Sequence, residues 1–179
     1  MTADSAQLRE RYGVLPLAKR HDRSAFSCSV DALDDYLRRQ RRQDARRWVA
    51  MPYVAEERDT AAVHGYYTLS TASVLLDLLP EELASKMPRY GAVPSVRLGR
   101  LAVHRDAQGL GLGSFLLMDA MARSVRIQVG WAAFLVDAKD TSAREFYRRF
   151  GFQSLDDDPN HLFLMRKTIE PLFMSEKMK

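Results

Sequence analysis

The chain is short of cysteine: Cys28 is the only one in 179 residues. That excludes a disulfide framework and a thiolate zinc cluster. Histidine is scarce as well. His21, His64, His104 and His161 show no metal-ligand spacing, so each reads as a surface or loop residue, and no metal is expected. No apolar run approaches the roughly 20 residues of a membrane span, and the first dozen residues are polar, unlike a signal peptide. Those absences point to a cytoplasmic protein without membrane contact. Repeats and low-complexity linkers are missing too. The length suits one domain with a full core, expected over residues 1–170, with a loose tail over 171–179.

Charge is modestly basic, 27 Lys+Arg against 23 Asp+Glu, giving +4. Its distribution says more than its sum. Arg38, Arg39, Arg41, Arg42, Arg46 and Arg47 fall within ten residues, opposed only by Asp44. Arg97, Arg100 and Arg105 form a second cluster. A charge run is most often a solvated helix face. Two separate clusters in which arginine dominates favour a polyanionic partner, because the guanidinium fork matches phosphate.

The most informative stretch is 97–118. An apolar run (Leu98, Leu101, Ala102, Val103) reads as a strand. A polar turn follows, then glycines at Gly109, Gly111 and Gly113, then a helical pattern (Leu112, Leu116, Leu117, Ala120, Met121). A strand, a glycine-rich turn and a helix start make an anion cradle, since the first amides of a helix have no intrahelical partner. A P-loop would need lysine after the last glycine, and Ser114-Phe115 stand there. A dinucleotide fingerprint would need a different final spacing and an acidic residue about 20 positions on. The remaining pattern, Gln108-x-x-Gly111-x-Gly113, resembles the pyrophosphate loop of the GCN5-related N-acetyltransferases (GNATs), which hold acetyl-CoA. A tight turn without a ligand is the bland alternative.

Elsewhere, residues 14–19 read as a first strand, and about 32–47 as a helix capped by Ser29 or Asp31. Residues 48–55 and 61–70 read as two strands of a meander, and 80–87 as a short helix opened by proline. The motif strand covers about 96–103 and its helix about 111–126. Residues 132–138 are a continuous apolar run, as in a buried central strand. Ser142-Ala-Arg-Glu145 reads as a capping box for a helix over 143–150, ended by Gly151. Residues 162–166 read as the last strand. This order implies an α/β domain: a mixed, mostly antiparallel sheet with helices on both faces.

The resemblance then covers about residues 14–168 and narrows. Phe26-x-Cys28 followed by Leu33-Asp34-x-Tyr36-Leu37, Gly65-Tyr66-Tyr67-Thr68-Leu69-Ser70, Leu98-Gly99-Arg100-Leu101-Ala102-Val103 and Phe146-Tyr147-Arg148-Arg149-Phe150-Gly151-Phe152 look like the tRNA-acetylating toxins of type II toxin–antitoxin systems. The resemblance implies a homodimeric GNAT-fold enzyme that moves acetyl from acetyl-CoA to the α-amine of aminoacyl-tRNA and blocks translation. It also implies a ribbon-helix-helix antitoxin partner, and DNA contact only through the complex with it. An acetyltransferase for a small-molecule amine or a protein N-terminus is the alternative, and it leaves the arginine clusters without a role.

On this reading the amides of Gln108, Gly109, Leu110, Gly111, Leu112, Gly113 and Ser114 face the CoA pyrophosphate, and Leu101, Ala102 and Val103 pair with the pantetheine arm. One amide of that strand would also stabilise the oxyanion. Tyr147 matches the family's general acid, a phenol of pKa about 10 that can protonate a leaving thiolate. Read from residues alone, Tyr147 is aromatic packing beside Phe146 and Phe150. Ser142 is either a cofactor contact or a plain N-cap. Arg97 and Arg100 are expected near the tRNA acceptor end, with Arg38, Arg41 and Arg42 more peripheral. No compelling carboxylate base stands out: Glu81 and Glu82 read as a helix face and Asp137 as a strand end. That favours an α-amine substrate, which is partly neutral near pH 7.

Overall fold

The computed structural model describes residues 3–40, 47–88 and 91–174. Its strands and main helices run α1 (Ala3–Arg11), β1 (Tyr12–Pro16), α2 (Asp31–Asp35, continued by a π-helical turn Tyr36–Gln40), β2 (Met51–Glu57), β3 (Val63–Leu75), α3 (Glu81–Ala84), β4 (Ala92–Val103), α4 (Leu112–Arg126), β5 (Ala133–Asp137), α5 (Thr141–Arg148), β6 (Gln153–Ser154), β7 (His161–Met165), α6 (Arg166–Ile169) and α7 (Pro171–Met174). The sheet order is β1-β2-β3-β4-β5-β7-β6. β4 and β5 pair in parallel, while β1/β2, β2/β3, β5/β7 and β6/β7 are antiparallel, which is the expected mixed sheet.

The chain forms two compact units, Met1–Ser70 with Gly99–Ala120, and Thr71–Leu98 with Met121–Lys179. In the first, Phe26, Tyr36, Leu37, Val54, Val63, Tyr66 and Ala102 build an apolar core. The space over Gly65 is filled: a Cβ there would stand 2.7 Å from Leu116 Cδ1 and 3.2 Å from the Ala102 carbonyl, so α4 seats close on this strand only because the residue is glycine.

In the second unit, Val74, Leu79, Val93, Ala133, Leu135, Phe163 and Met165 form another core. β5 is buried along Ala133–Val136 and surfaces only at Asp137, as its apolar run predicts. Gly151 has φ +87 and ends the helical run after α5, also as predicted.

Several local expectations change. α1 lies where no element was predicted, and β6 is a two-residue strand that the sequence did not signal. Neither Ser29 nor Asp31 caps α2: Val30 is the N-cap, with no side-chain bond, and Ser29 sits at φ +66, outside the extended region an N-cap needs. The Ser142 capping box does not form. Asp140 is extended and accepts the Ala143 N–H at 2.8 Å, which starts the helix at Thr141, two residues earlier than expected, and leaves Ser142 exposed in its first turn. His21 lies in a loop, as expected, but is buried there; its Nδ1 accepts the Ala18 N–H, and its Nε2 stands 3.1 Å from Glu56.

Candidate active site

The glycine loop is assembled within the first unit. β4 ends at Val103, His104 opens a short 3-10 turn (Arg105–Ala107), and the loop Gln108–Gly111 delivers the chain to α4. Gly109 and Gly111 have φ of +75 and +82, where an L side chain is strained. Gly113 lies inside the first turn of α4, so its φ is not the reason for its being glycine. The first helical bond runs from the Phe115 N–H to the Gly111 carbonyl. Among the described residues no backbone acceptor takes the amides of Gly109 through Ser114. With no acidic residue in that first turn, the helix end suits an anion.

A platform lies under this loop. The His104 imidazole Nε2 is 3.1 Å from the Ala25 carbonyl, and the Arg105 N–H donates to the Ser27 carbonyl at 2.9 Å. The Gln108 amide donates to the Val103 carbonyl at 3.0 Å and the Cys28 carbonyl at 3.3 Å. Segment 25–28 is in turn held by buried Asp34, which accepts the Cys28 N–H at 2.9 Å and the Ser27 hydroxyl at 3.0 Å. Burial opposes the Asp34 charge, but these bonds outweigh it and hold the carboxyl below its ordinary range. The sequence had singled out Phe26-x-Cys28 and Asp34 without assigning them this task. Gln108 therefore braces the loop with its side chain.

β4 outruns its parallel partner. The register with β5 covers Ser95–Leu98, whereas β4 continues through Leu101, Ala102 and Val103. A strand edge beyond a paired stretch can accept an extended chain through backbone hydrogen bonds.

Tyr147 belongs to the second unit. Its ring is buried between Phe146, with centroids 5.1 Å apart, and Phe152, at 5.6 Å. The hydroxyl makes no hydrogen bond among the described residues. Burial first, and the Asp137 charge second, push this phenol well above its usual value. It stays protonated through the physiological range, the state a proton donor needs. Asp137 pairs with Arg97 at 2.9 Å, so Arg97 is an ion-pair partner as well as a candidate phosphate contact.

The other arginines separate. Arg100 stacks on Tyr36, 3.6 Å from the ring centroid, and Arg38 donates to the Phe26 carbonyl at 2.7 Å. Arg41 and Arg42 lie outside the described residues. Among the described residues no cluster of histidine, cysteine or carboxylate side chains could hold a metal ion. No described helix is long and apolar enough to cross a membrane.

The family model for the acetyltransferase (GNAT) domain matches residues 50–154. The chain belongs to the GNAT acetyltransferase family. This GNAT is 39% identical over 153 residues to a tRNA-acetylating toxin of Mycobacterium tuberculosis (strain ATCC 25618 / H37Rv), covering 84% of this chain and 90% of that protein. The fold matches the crystal structure of a tyrosine-to-phenylalanine mutant of KacT at a TM-score of 0.85, with 32% identity over 91% of this chain and 99% of that one. It matches AtaT complexed with acetyl-methionyl-tRNAfMet at 0.84, with 32% identity and the same coverage. Related structures show AtaTR with acetyl-CoA, AtaT with the C-terminus of the antitoxin AtaR, and KacTA with DNA.

Proposed function

We propose that this GNAT acetylates the α-amine of aminoacyl-tRNA with acetyl-CoA, acting in the cytoplasm as a toxin that blocks translation. The observation that carries the reading is the 39% identity to a tRNA-acetylating toxin across 84% of the chain. The residues fit the co-substrate. The free amides from Gly109 to Ser114 suit the CoA pyrophosphate, and the Leu101–Val103 edge suits the pantetheine arm.

Acetyl-CoA supplies a thioester carbonyl that an amine can attack, with a thiolate as leaving group. Tyr147 donates its hydroxyl proton to the departing sulfur, and the proton lost by the attacking nitrogen restores the phenol. Burial keeps the phenol protonated, and no described acceptor holds its proton. An amide of Leu101–Val103 stabilises the negative charge developing on the carbonyl oxygen. Ser142, exposed in the first turn of α5, is free to meet the co-substrate since Asp140 does the capping.

Arg97 and Arg100 sit on β4 and, with Arg38, Arg41 and Arg42, would supply the phosphate contacts. The working species would be a homodimer restrained by a ribbon-helix-helix antitoxin, with DNA bound through that complex; the AtaR and KacTA–DNA structures of relatives support the antitoxin partner and the DNA contact.

The test offers labelled acetyl-CoA with four acceptors: charged tRNA, deacylated tRNA, a small amine and a peptide. Label on charged tRNA alone is the expected result. Transfer to the small amine or peptide that ignores tRNA would overturn the reading and move the chain to the alternative acetyltransferase class.

A further inference from the structure

Within the second unit lies a cavity of about 190 Å³ that the mechanism above leaves unused. At ~30 Å³ per water in the liquid, that is room for roughly six heavy atoms, about an amino group, its Cα and a four-atom side chain. Its walls combine leucines (Leu75, Leu78, Leu135, Leu155 and Leu162) with four ionisable groups, Arg97, Asp137, Asp157 and His161.

Strand geometry explains the combination. Leu135 and Asp137 are two apart on β5 and share a face. Arg97 is the register neighbour of Leu135 on β4, and His161 stands opposite Asp137 on β7. The four groups are matched in pairs. Arg97 meets Asp137 at 2.9 Å, and His161 meets Asp157 at 2.9 Å. A charged ligand group would have to break one of these pairs, whereas an apolar one meets leucine. Asp137 has an exposed carboxylate and is also the residue whose charge reaches the Tyr147 phenol. The cavity therefore contains a group that is electrostatically in touch with the proton donor.

We propose that this cavity receives the aminoacyl group of the acceptor, with Asp137 accepting a hydrogen bond from its α-amine and the leucines enclosing an uncharged aliphatic side chain of about four heavy atoms. The inference rests on the aminoacyl-tRNA reading and adds the class of amino acid. Each methylene placed in such a pocket is worth about 10–200-fold in kcat/KM, and a side chain that fills the leucine cage gains accordingly.

The experiment charges one tRNA body in turn with leucine, methionine, glycine and aspartate and measures kcat/KM for acetylation. The wild-type chain should prefer the leucyl and methionyl forms over the glycyl form by at least 10-fold and accept the aspartyl form least. Leu78→Trp, and separately Leu155→Trp, fill the cavity from half-buried positions. Either should cut the aliphatic acceptors about 10-fold or more and the glycyl acceptor, which needs room only for its amine and Cα, by less. Two variants guard against one misfolding. Equal rates for all four acceptors in wild type, or an equal loss for all four in both variants, would overturn the pocket while the aminoacyl-tRNA reading stands. Acetylation of none of the four, with a small amine still acetylated, would overturn both.

Discussion

Asp34 stands under the glycine loop without belonging to it, and removing its carboxylate separates structural support from chemistry. It accepts two hydrogen bonds, from the Cys28 N–H and the Ser27 hydroxyl, while 4% exposed. Bonds to an ionised group contribute about 1.5–3 kcal/mol each, roughly 3–6 kcal/mol together, and the desolvation of the carboxylate subtracts from that. Asp34→Ala should therefore cost about 2–4 kcal/mol, because it leaves a buried N–H without a partner. Asp34→Asn keeps an acceptor for that N–H and should cost less, about 1–2 kcal/mol. The carbonyls of residues 25–28 hold His104, Arg105 and Gln108, so both variants should also raise the KM for acetyl-CoA. The pH dependence has a definite sign. The folded-state pKa lies below the unfolded value near 3.9, so the contribution is fully present above about pH 4 and is lost as pH falls through the folded value. The gap between wild type and Asp34→Asn should narrow in acid. Urea denaturation at pH 7 and pH 3, with an acetyl-CoA titration, measures all three effects. An Asp34→Ala variant within about 0.5 kcal/mol of wild type, with an unchanged KM, would refute the reasoning.

Gly111→Ala forces a Cβ into φ +82 and should cost about 1–2 kcal/mol while weakening acetyl-CoA binding, read by calorimetry with the intact protein. Gly65→Ala puts a methyl 2.7 Å from Leu116 Cδ1 and should lower stability by about 1–3 kcal/mol, read as a drop in Tm. Asp157 holds His161 above the ordinary imidazole value, chiefly through their hydrogen bond. The pair therefore favours the folded state below about pH 6.5, and that preference fades as pH rises through the folded pKa. An NMR titration should find the His161 midpoint above 6.5 in wild type and lower in Asp157→Asn.

The sequence made the loop and the central strands legible because their signals are local. Three glycines at spacing two and an apolar run over 132–138 are visible within one window. What it hid is non-local. Asp137 looked like a strand end, and only the β4–β5–β7 register brings it to Arg97 and opposite His161. One available signal was a fully apolar strand that ends on a carboxylate, since ligands gather beyond the carboxyl ends of parallel strands. Asp34 read as part of a motif, but its partners depend on the left-handed turn at Ser29. α1 escaped because Ala3–Arg11 carries a single large apolar residue, Leu8, and so no apolar stripe. His21 is buried by a long-range contact with Glu56 that no spacing announces.

Tyr147 is proposed as the proton donor in acetyl transfer to aminoacyl-tRNA. Its most direct test is single-turnover transfer of labelled acetyl to charged tRNA by wild type and Tyr147→Phe, with acetyl-CoA affinity measured on both proteins. The expected result is a loss of about 100-fold or more in rate, with acetyl-CoA affinity within about 2-fold, because the substitution removes one hydroxyl and keeps the ring contacts with Phe146 and Phe152. A Tyr147→Phe protein that labels charged tRNA at the wild-type rate would contradict it.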